Sequence, residues 1–260
     1  MYSRIALSIG GSDSGGGAGI QADLRTFMAL KVHACTAITC VTAQNSVEVK
    51  SVDAVNINNL ISQIDSVFSD FAISALKTGM LLNKEIIELT AIKIKSFSIP
   101  KIIDPVMVSR TGSKLLENDA IDAYKKTLFP QAEIVTPNIF EANLLSDMDI
   151  KDEDDIEIAG EKILEYGVRS VLIKGGGLKN LKGKDFFVNK NGFKIWLKNK
   201  FIDTLNTHGS GCTLSAAICG NRALGNDLLA SVQNAKFFVE RSLKESYKIG
   251  SGPGPLGHYQ

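Results

Sequence analysis

The chain has 260 residues, of which 44% are hydrophobic and 22% are charged, and its formal net charge at pH 7 is +1. This composition is typical of a globular protein with enough residues for one α/β domain and a substantial core. The balanced charge argues against a nucleic-acid or membrane partner, and no apolar run is long enough to cross a bilayer. We therefore expect a single domain over residues 1–260. The N-terminal residues form no apolar signal segment, so we expect a cytoplasmic protein.

Strand-like apolar runs alternate with amphipathic helical runs along almost the whole chain. This alternation predicts an α/β fold with a mostly parallel sheet. Strands are predicted at residues 4–10, 33–41, 73–78, 101–107, 133–138, 169–173, 186–188 and 193–197. Helices are predicted from residue 20 onward, at residues 56–71, 83–94 and 119–128, after residue 138, before residue 166, after residue 212 and around residues 235–243. The tail, residues 250–260, is rich in Gly and Pro and is predicted to be a loop.

A glycine-rich loop, residues 10–19, follows the first strand and leads into a helix with Ile20, Leu24, Phe27 and Met28 at helical spacing. A strand, a glycine loop and a helix in this order predict a ligand at the C-terminal edge of the sheet. A dinucleotide fingerprint is rejected because its letters begin well after the strand ends and no acid follows about twenty residues later. A Walker phosphate loop is excluded because the one Gly-Lys pair in the chain precedes an aspartate.

Polar side chains lie at or just after the ends of several predicted strands. Gln44 offers donors and acceptors to the edge of a heterocycle, although an ordinary turn residue is the alternative. Asp104 and Glu141 are carboxylates that could jointly hold Mg²⁺ through water. Asn138 is equally explained as a helix cap, and Lys174, which precedes three glycines, either binds phosphate or is a surface lysine.

Two other residues are ambiguous on the sequence alone. Asp23 lies among apolar neighbours one turn after the glycine loop, where a carboxylate is either a solvated helix residue or a functional group. Met80 follows the third predicted strand and is either a filler of the core or a ligand contact.

The second glycine-rich stretch, residues 206–213, precedes another helical run. Gly209 and Gly211 allow backbone N–H groups to approach a phosphate, and a helix N-terminus favours an anion. Cys212 would lie at this positive end, where its thiol should ionise more easily than a free thiol. The alternative is a glycine-rich turn before a core helix, with Cys212 as a small buried residue.

The chain has four cysteines, at positions 35, 40, 212 and 219. They form no C-x-x-C pair, and the three histidines complete no zinc spacing. In a reducing compartment we expect all four to be free thiols.

Taken in order, the motifs resemble those of the hydroxymethylpyrimidine/phosphomethylpyrimidine kinases of thiamine biosynthesis, in the ribokinase-like superfamily. The matching motifs are residues 11–24, Gln44-Asn45, Lys77-Thr78-Gly79-Met80, Asp104-Pro105-Val106-Met107, Thr136-Pro137-Asn138-x-x-Glu141, Lys174-Gly175-Gly176 and residues 206–213. The resemblance implies a three-layer αβα sandwich with a mostly parallel central sheet and a small β flap. It also implies a homodimer.

The resemblance implies a role for each candidate residue. The aminopyrimidine substrate would be bound by Gly11, Asp23, Gln44, Met80 and Val106. The phosphates of ATP would lie near Asn138, Lys174, Thr207 and Ser210, and Mg²⁺ near Asp104 and Glu141. Catalysis would involve Lys174 and an anion hole made of Gly209, Gly211 and Cys212, with the Cys212 thiolate as the base. The chain departs from the family pattern at Ser210, where threonine is common, and in the loop at Ser14 and Gly15.

The implied activity is ATP-dependent phosphorylation of hydroxymethylpyrimidine to its monophosphate, and then of the monophosphate to the pyrophosphate. A pyridoxal kinase of the same cysteine-type family, or an enzyme with both activities, is an open alternative because both substrates are flat heterocycles with a hydroxymethyl group. A non-catalytic sensor of the pyrimidine or its phosphate is a third hypothesis. The presence of Cys212, Lys174 and the glycine pair disfavours it.

Overall fold

The computed structural model describes residues 4–107 and 118–259. The N-terminal residues on which the expectation about a signal segment depends therefore lie mostly outside the described part. Within it, the strands are β1 (Ile5–Asp13), β2 (His33–Gln44), β3 (Val49–Ala54), β4 (Ala75–Thr78), β5 (Lys101–Ile103), β6 (Ile134–Val135), β7 (Ser170–Lys174), β8 (Lys184–Asn189) and β9 (Lys194–Lys198).

The helices of the described residues alternate with these strands. They are α1 (Gly19–Ala29), α2 (Ile57–Asp70), α3 (Lys84–Ile94), α4 (Asn118–Ala123), α5 (Ile139–Ser146), α6 (Glu153–Leu164), α7 (Ser210–Ala223) and α8 (Leu228–Lys244). Five of them begin at an Asn or Asp whose side chain accepts a hydrogen bond from the first turn, namely Asn56, Asn83, Asn138, Asp152 and Asp227. These caps satisfy amide groups that have no partner within the helix, so the short polar residues determine where each helix starts.

The described strands form one nine-stranded sheet in the order β3-β2-β1-β4-β5-β6-β7-β8-β9. The neighbours from β2 to β7 pair in parallel, while β3, β8 and β9 pair antiparallel to their neighbours. The predicted mostly parallel sheet is confirmed. The β2–β3 hairpin forms a small β flap. Its strand β3 lies at the edge of the sheet and pairs only with the C-terminal part of β2, from Cys40 to Gln44.

Successive residues of the central strands face opposite sides of the sheet and enter two separate cores. Leu7 and Leu76 join a core with α2 to α6, while their neighbours Ala6 and Ala75 join a core with α1, α7 and α8. The fold is therefore a three-layer αβα sandwich, as expected. Because both faces of the parallel strands are covered, the strands read as continuous apolar runs in the sequence.

Some predicted boundaries were wrong. β1 continues to Asp13, so the first four residues assigned to the glycine loop, residues 10–13, are strand. The segment predicted as one helix at 119–128 is helix α4 followed by a π turn at Tyr124–Leu128. In α1, Leu24 and Met28 are exposed, and the buried face instead contains Asp23 and Thr26.

Across the described ranges, no helix combines the length and the apolar character that a membrane span requires.

Candidate active site

The candidate site lies at one edge of the sheet, where the parallel strands end. Strands that run in parallel bring their C-terminal ends to the same edge. β1, β4, β5 and β7 thereby place Gly11, Met80, Asp104 and Lys174 at this edge. Asn138, three residues after the end of β6, forms an isolated parallel bridge with Lys174. The helix α7 begins beside them, so the structure brings together motifs that are far apart in the chain.

The two glycine-rich stretches, residues 10–19 and 206–213, are in direct contact. Gly209 has a φ of +84°, a left-handed conformation that favours glycine, and a Cβ there would lie 2.0 Å from the Gly17 carbonyl oxygen. A Cβ on Gly17 would in turn lie 2.1 Å from Cδ2 of His208. The absence of side chains at both glycines is therefore what allows the two loops to meet.

Asp13 organises the first of these loops. Its carboxylate accepts hydrogen bonds from the backbone N–H groups of Gly15, Gly17 and Ala18, at 2.8, 3.0 and 2.8 Å. His208 Nε2, from the second loop, lies 3.0 Å from the same carboxylate. Burial acts to raise the pKa of Asp13, but the hydrogen bonds from His208 and the backbone amides outweigh it and hold the pKa below its ordinary value.

A second cluster surrounds the Lys174 ammonium group. Its Nζ lies 3.2 Å from Oδ1 of Asp104 and 4.0 Å from Oε2 of Glu141. A Cβ on Gly211 would contact the same Nζ at 3.4 Å, so the ammonium lies directly beside the first turn of α7. A phosphate at this helix end would meet both the lysine and free backbone N–H groups.

The two carboxylates of this cluster are firmly held. Asp104 is buried and also accepts hydrogen bonds from Ser215 Oγ at 2.9 Å and Thr136 Oγ1 at 3.2 Å. Glu141 and Asn138 form a reciprocal capping box at the start of α5. The capping alternative for Asn138 is thus correct, although the residue also lines the cavity described below.

The carboxylate pair suits a cation better than it suits the lysine alone. Burial raises the pKa of Glu141 to about 7, although Lys174 acts in the opposite direction. When both are ionised, the two buried carboxylates share one ammonium and carry excess negative charge, and carboxylate oxygens are the ligands that Mg²⁺ uses in proteins. No group of three or more His, Cys, Asp or Glu side chains with metal-binding geometry exists in the described ranges. An ion here would therefore complete its shell with water or phosphate.

Cys212 lies in the first turn of α7, as expected, but its predicted easier ionisation is wrong for this structure. Burial raises the pKa of the thiol to about 11, and Lys77 and the backbone of Gly19 only partly oppose this effect. The side chain is partly accessible, yet protein atoms surround it closely. Desolvation of the thiolate thus exceeds the stabilisation expected from the helix N-terminus.

Asp23 of α1 is buried against strands β1 and β4. Its side chain is 1% exposed, with Oδ1 2.9 Å from Lys77 Nζ and Oδ2 2.6 Å from Ser8 Oγ. The expectation that a helical carboxylate is solvated does not apply here. Both oxygens already have protein donors, so any substrate hydrogen bond to Asp23 would share the carboxylate with Ser8 and Lys77.

The other predicted substrate residues lie at three places around the edge. Gly11 and Met80 are neighbours, because a Cβ on Gly11 would lie 3.2 Å from Met80 Cε and 2.8 Å from Cys40 Sγ. Gln44 ends β2, and its Nε2 lies 3.4 Å from His208 Nε2. Val106, two residues after Asp104, is half-buried.

A cavity of about 1060 Å³ lies against the start of α7. The four residues predicted to bind ATP all line it, together with Gly211; they are Asn138, Lys174, Thr207 and Ser210. Val239 and Leu243 of α8, which the sequence assigned only to a core-facing helix, provide apolar walls. This volume is large enough for a nucleotide-sized ligand.

Several residues in the site were not assigned a role from the sequence. Lys77 and His208 belong to motifs that carry the family resemblance, so their positions in the sequence indicated a functional role. The neighbouring sequence does not reveal that Lys77 is completely buried against Asp23. Ser215 lies one turn after Cys212 and reaches Asp104, 111 positions away. Contacts between such distant positions depend on the sheet topology and are not visible in local patterns.

Comparison with known proteins identifies close relatives. The family model for phosphomethylpyrimidine kinase matches residues 13–257. A hydroxymethylpyrimidine/phosphomethylpyrimidine kinase of Synechococcus elongatus is 52% identical over 260 residues, covering 100% of this chain and 98% of the relative.

Solved structures give the same fold. The Bacillus subtilis pyridoxal kinase in an ADP complex superimposes with a TM-score of 0.92 at 38% identity, covering 98% of each chain. The phosphomethylpyrimidine kinase of Clostridium difficile gives a TM-score of 0.82 at 38% identity, covering 92% of this chain and 98% of the other. These similarities confirm the ribokinase-like sandwich that the motifs implied.

Proposed function

The chain belongs to the phosphomethylpyrimidine kinase family, and we propose that it transfers the γ-phosphoryl group of ATP to the hydroxymethyl oxygen of hydroxymethylpyrimidine. It then phosphorylates the monophosphate to the pyrophosphate, in the thiamine pathway. The observation that carries this proposal is the convergence of Lys174, the start of α7 and the cavity at one edge of the sheet. Phosphoryl transfer requires chiefly positioning and stabilisation of charge, and these features supply both.

The nucleotide occupies the large cavity in this proposal. Its phosphates would lie near Asn138, Lys174 and the first turn of α7, and the flat face of its base would pack near Val239 and Leu243, which line the same cavity. The ammonium of Lys174 and the backbone N–H groups at Gly209 and Gly211 stabilise the negative charge on the transferred phosphoryl group. Thr207 and Ser210 line the same cavity.

Asp104 and Glu141 would hold Mg²⁺ in this proposal. The bound ion would supply neutralisation of the negative charge on the phosphates of ATP. The two carboxylates are prepositioned for this role, since Ser215 and Thr136 hold Asp104 and the capping box holds Glu141.

The thiolate form of Cys212, which exists after the thiol has released its proton to water, takes the proton of the substrate hydroxyl in the first phosphorylation. Because the thiol has a pKa of about 11 in this structure, loss of its own proton is part of the barrier to that step at neutral pH. The second phosphorylation starts from a phosphate oxygen that is already a nucleophile. It therefore needs no base, and Cys212 contributes little to it.

Mass spectrometry of products tests the proposal. The purified chain is incubated with ATP, Mg²⁺ and, separately, hydroxymethylpyrimidine, its monophosphate and pyridoxal. We expect both the monophosphate and the pyrophosphate of the pyrimidine, and their loss in a Lys174→Met variant. The matched control, Lys179→Met, changes an exposed lysine five positions further on and should retain activity. Absence of both products with the intact chain would overturn the proposal.

Pyridoxal is the second candidate substrate, because the Bacillus subtilis structure with a TM-score of 0.92 is named a pyridoxal kinase. The 52% identity to a hydroxymethylpyrimidine/phosphomethylpyrimidine kinase favours the pyrimidine. Values of kcat/KM for the two substrates decide between them, and a higher value for pyridoxal would replace the substrate assignment while leaving the site unchanged.

A further inference from the structure

The C-terminal tail was predicted to be a loop, but much of it is buried in the structure. Residues 250–258, which we call the C-terminal strap, include a buried run from Gly254 to His258. The strap has no helix or strand of its own, and yet its residues fit between α8, the flap and the second glycine-rich stretch.

The hydrogen bonds of the strap reach residues on both sides of Cys212. The Gly254 carbonyl accepts from the backbone N–H of His208 at 3.1 Å, and the Gly254 N–H donates to Asn206 Oδ1 at 2.9 Å. On the far side, His258 Nε2 lies 3.0 Å from the hydroxyl of Thr213, the residue that follows Cys212. The strap therefore holds the second glycine-rich stretch, residues 206–213, at its beginning and at its end.

Close backbone contacts fix the path of the strap. A Cβ on Gly252 would lie 2.0 Å from the carbonyl oxygen of Ser46 in the flap turn, and one on Gly254 would lie 1.9 Å from that of Tyr247. Gly252 N also donates to Ser46 Oγ at 3.1 Å. The same segment thus joins the flap, which carries Gln44, to the stretch that carries Cys212.

We propose that the C-terminal strap positions the anion hole, and that His258 is a positioning residue for phosphoryl transfer through its hydrogen bond to Thr213. The proposal rests on the kinase function proposed above. Thr213 is fully buried and His258 is 8% exposed, so water cannot readily replace either partner. Loss of this bond lets the first turn of α7 shift, and a small displacement of backbone N–H groups from the phosphoryl group weakens charge stabilisation steeply.

The test compares His258→Ala with His258→Gln, whose amide nitrogen can occupy the place of Nε2. The matched control is His33→Ala. It changes an exposed histidine at the start of β2, at the end of the strand that is away from the flap. We expect His258→Ala to lower kcat for the pyrimidine by at least about tenfold, with a smaller change in KM, and His258→Gln to restore much of the loss. A fall in thermal stability with unchanged kcat would overturn the proposal, because it would show a purely structural role.

A second readout does not require the kinase activity. The rate at which iodoacetamide alkylates Cys212, located by peptide mass spectrometry, reports the local geometry of the α7 start. We expect this rate to change in His258→Ala and Thr213→Val, and the double variant to show no further change because both remove one bond. If the intact chain phosphorylates nothing, the proposed function fails while this measurement still tests the strap. Equal alkylation rates in all folded variants would overturn the proposal. If His258→Ala does not fold, His258→Gln and Thr213→Val carry the test.

Discussion

At the scale of single residues, Cys212 is subject to opposing electrostatic effects. The start of α7, Lys77 and the Gly19 backbone favour the thiolate, while burial disfavours it and raises the pKa to about 11. A thiol with this pKa is almost entirely protonated at neutral pH. The first phosphorylation should therefore become faster as pH rises, because the fraction of thiolate increases.

This gives a prediction for the pH dependence of the two steps. We expect kcat/KM for hydroxymethylpyrimidine to rise about tenfold per pH unit between about pH 7 and about pH 9, and kcat/KM for the monophosphate to lack this slope. Steady-state kinetics with each substrate across this range checks it. Parallel pH profiles for the two substrates would contradict the assignment of Cys212 as the base.

Substitution of the same residue separates the steps directly. Cys212→Ala should slow the first phosphorylation far more than the second, because only the first must remove a hydroxyl proton. Single-turnover measurements with each substrate give the two losses independently. Equal losses would indicate that Cys212 contributes to the shape of the anion hole rather than to proton transfer.

The Lys77–Asp23 pair is the most deeply buried ion pair near the site, with side chains 0% and 1% exposed. Lys77→Met should lower the free energy of unfolding by about 3–5 kcal/mol, because it leaves the Asp23 carboxylate buried without its counter-ion. Urea unfolding measures this loss. The double variant Lys77→Met/Asp23→Leu should recover much of the stability, and a single variant as stable as the unchanged chain would contradict the account.

At the scale of elements, two alanine substitutions distinguish the effect of the contact between the two glycine-rich stretches from the effect of backbone strain. Gly209 and Gly192 have nearly equal φ values of +84° and +81°, but only Gly209 has a neighbour that a Cβ would strike, the Gly17 carbonyl at 2.0 Å. Alanine at either position incurs a strain of about 1–2 kcal/mol. We expect Gly209→Ala to abolish most kinase activity and Gly192→Ala to retain it, as initial rates would show. Similar activity in both variants would mean that the contact between the stretches is unimportant.

The C-terminal strap makes a separate contribution to stability that depends on pH. Burial and the nearby Arg25 charge lower the pKa of His258 from 6.5 to about 4, although the backbone of Leu256 acts in the opposite direction. Between these pH values the unfolded chain binds a proton at this histidine that the folded chain excludes, so stability falls as pH decreases from 6.5 to 4. Relative to His258→Gln, the unchanged chain should therefore lose melting temperature over this interval, as differential scanning calorimetry would show. Curves that remain parallel would contradict the shifted pKa.

The elements also show which parts of the site local patterns can predict. Asp104 and Lys174 follow apolar strands, and this spacing alone places them at one sheet edge. The strand β3 was not predicted because its residues are mostly exposed and its partner is a hairpin extension of β2 rather than the core. The burial of Asp23 was also missed, since it depends on Lys77, which is 54 positions away. Long-range pairing of charges overrides the usual preference of a helical carboxylate for solvent.

At the scale of the whole molecule, the flap is the least covered part of the sheet. β3 is an edge strand, so one row of its N–H and C=O groups has no strand partner within the described chain. Three valines of the flap, Val41, Val47 and Val49, are 49%, 59% and 44% exposed. Val49 lies at the start of this edge strand and Val47 in the turn before it, and exposed apolar residues beside an open strand edge are typical of a surface that associates.

We predict that this flap surface forms the dimer interface. Sedimentation velocity should give a species of twice the chain mass of 28.0 kDa. The double substitution Val47→Asp/Val49→Asp should shift it to the monomer, because charges would then lie against apolar partners. Ile92→Asp, at a residue of α3 that is 71% exposed, is the matched control and should leave the assembly unchanged. A monomeric unchanged chain would refute the dimer, whereas a dimer that survives the valine substitutions would place its interface on another face. Because the C-terminal strap joins the flap turn at Ser46 to the stretch around Cys212, loss of the dimer should also lower kcat, which links assembly to the chemistry at the sheet edge.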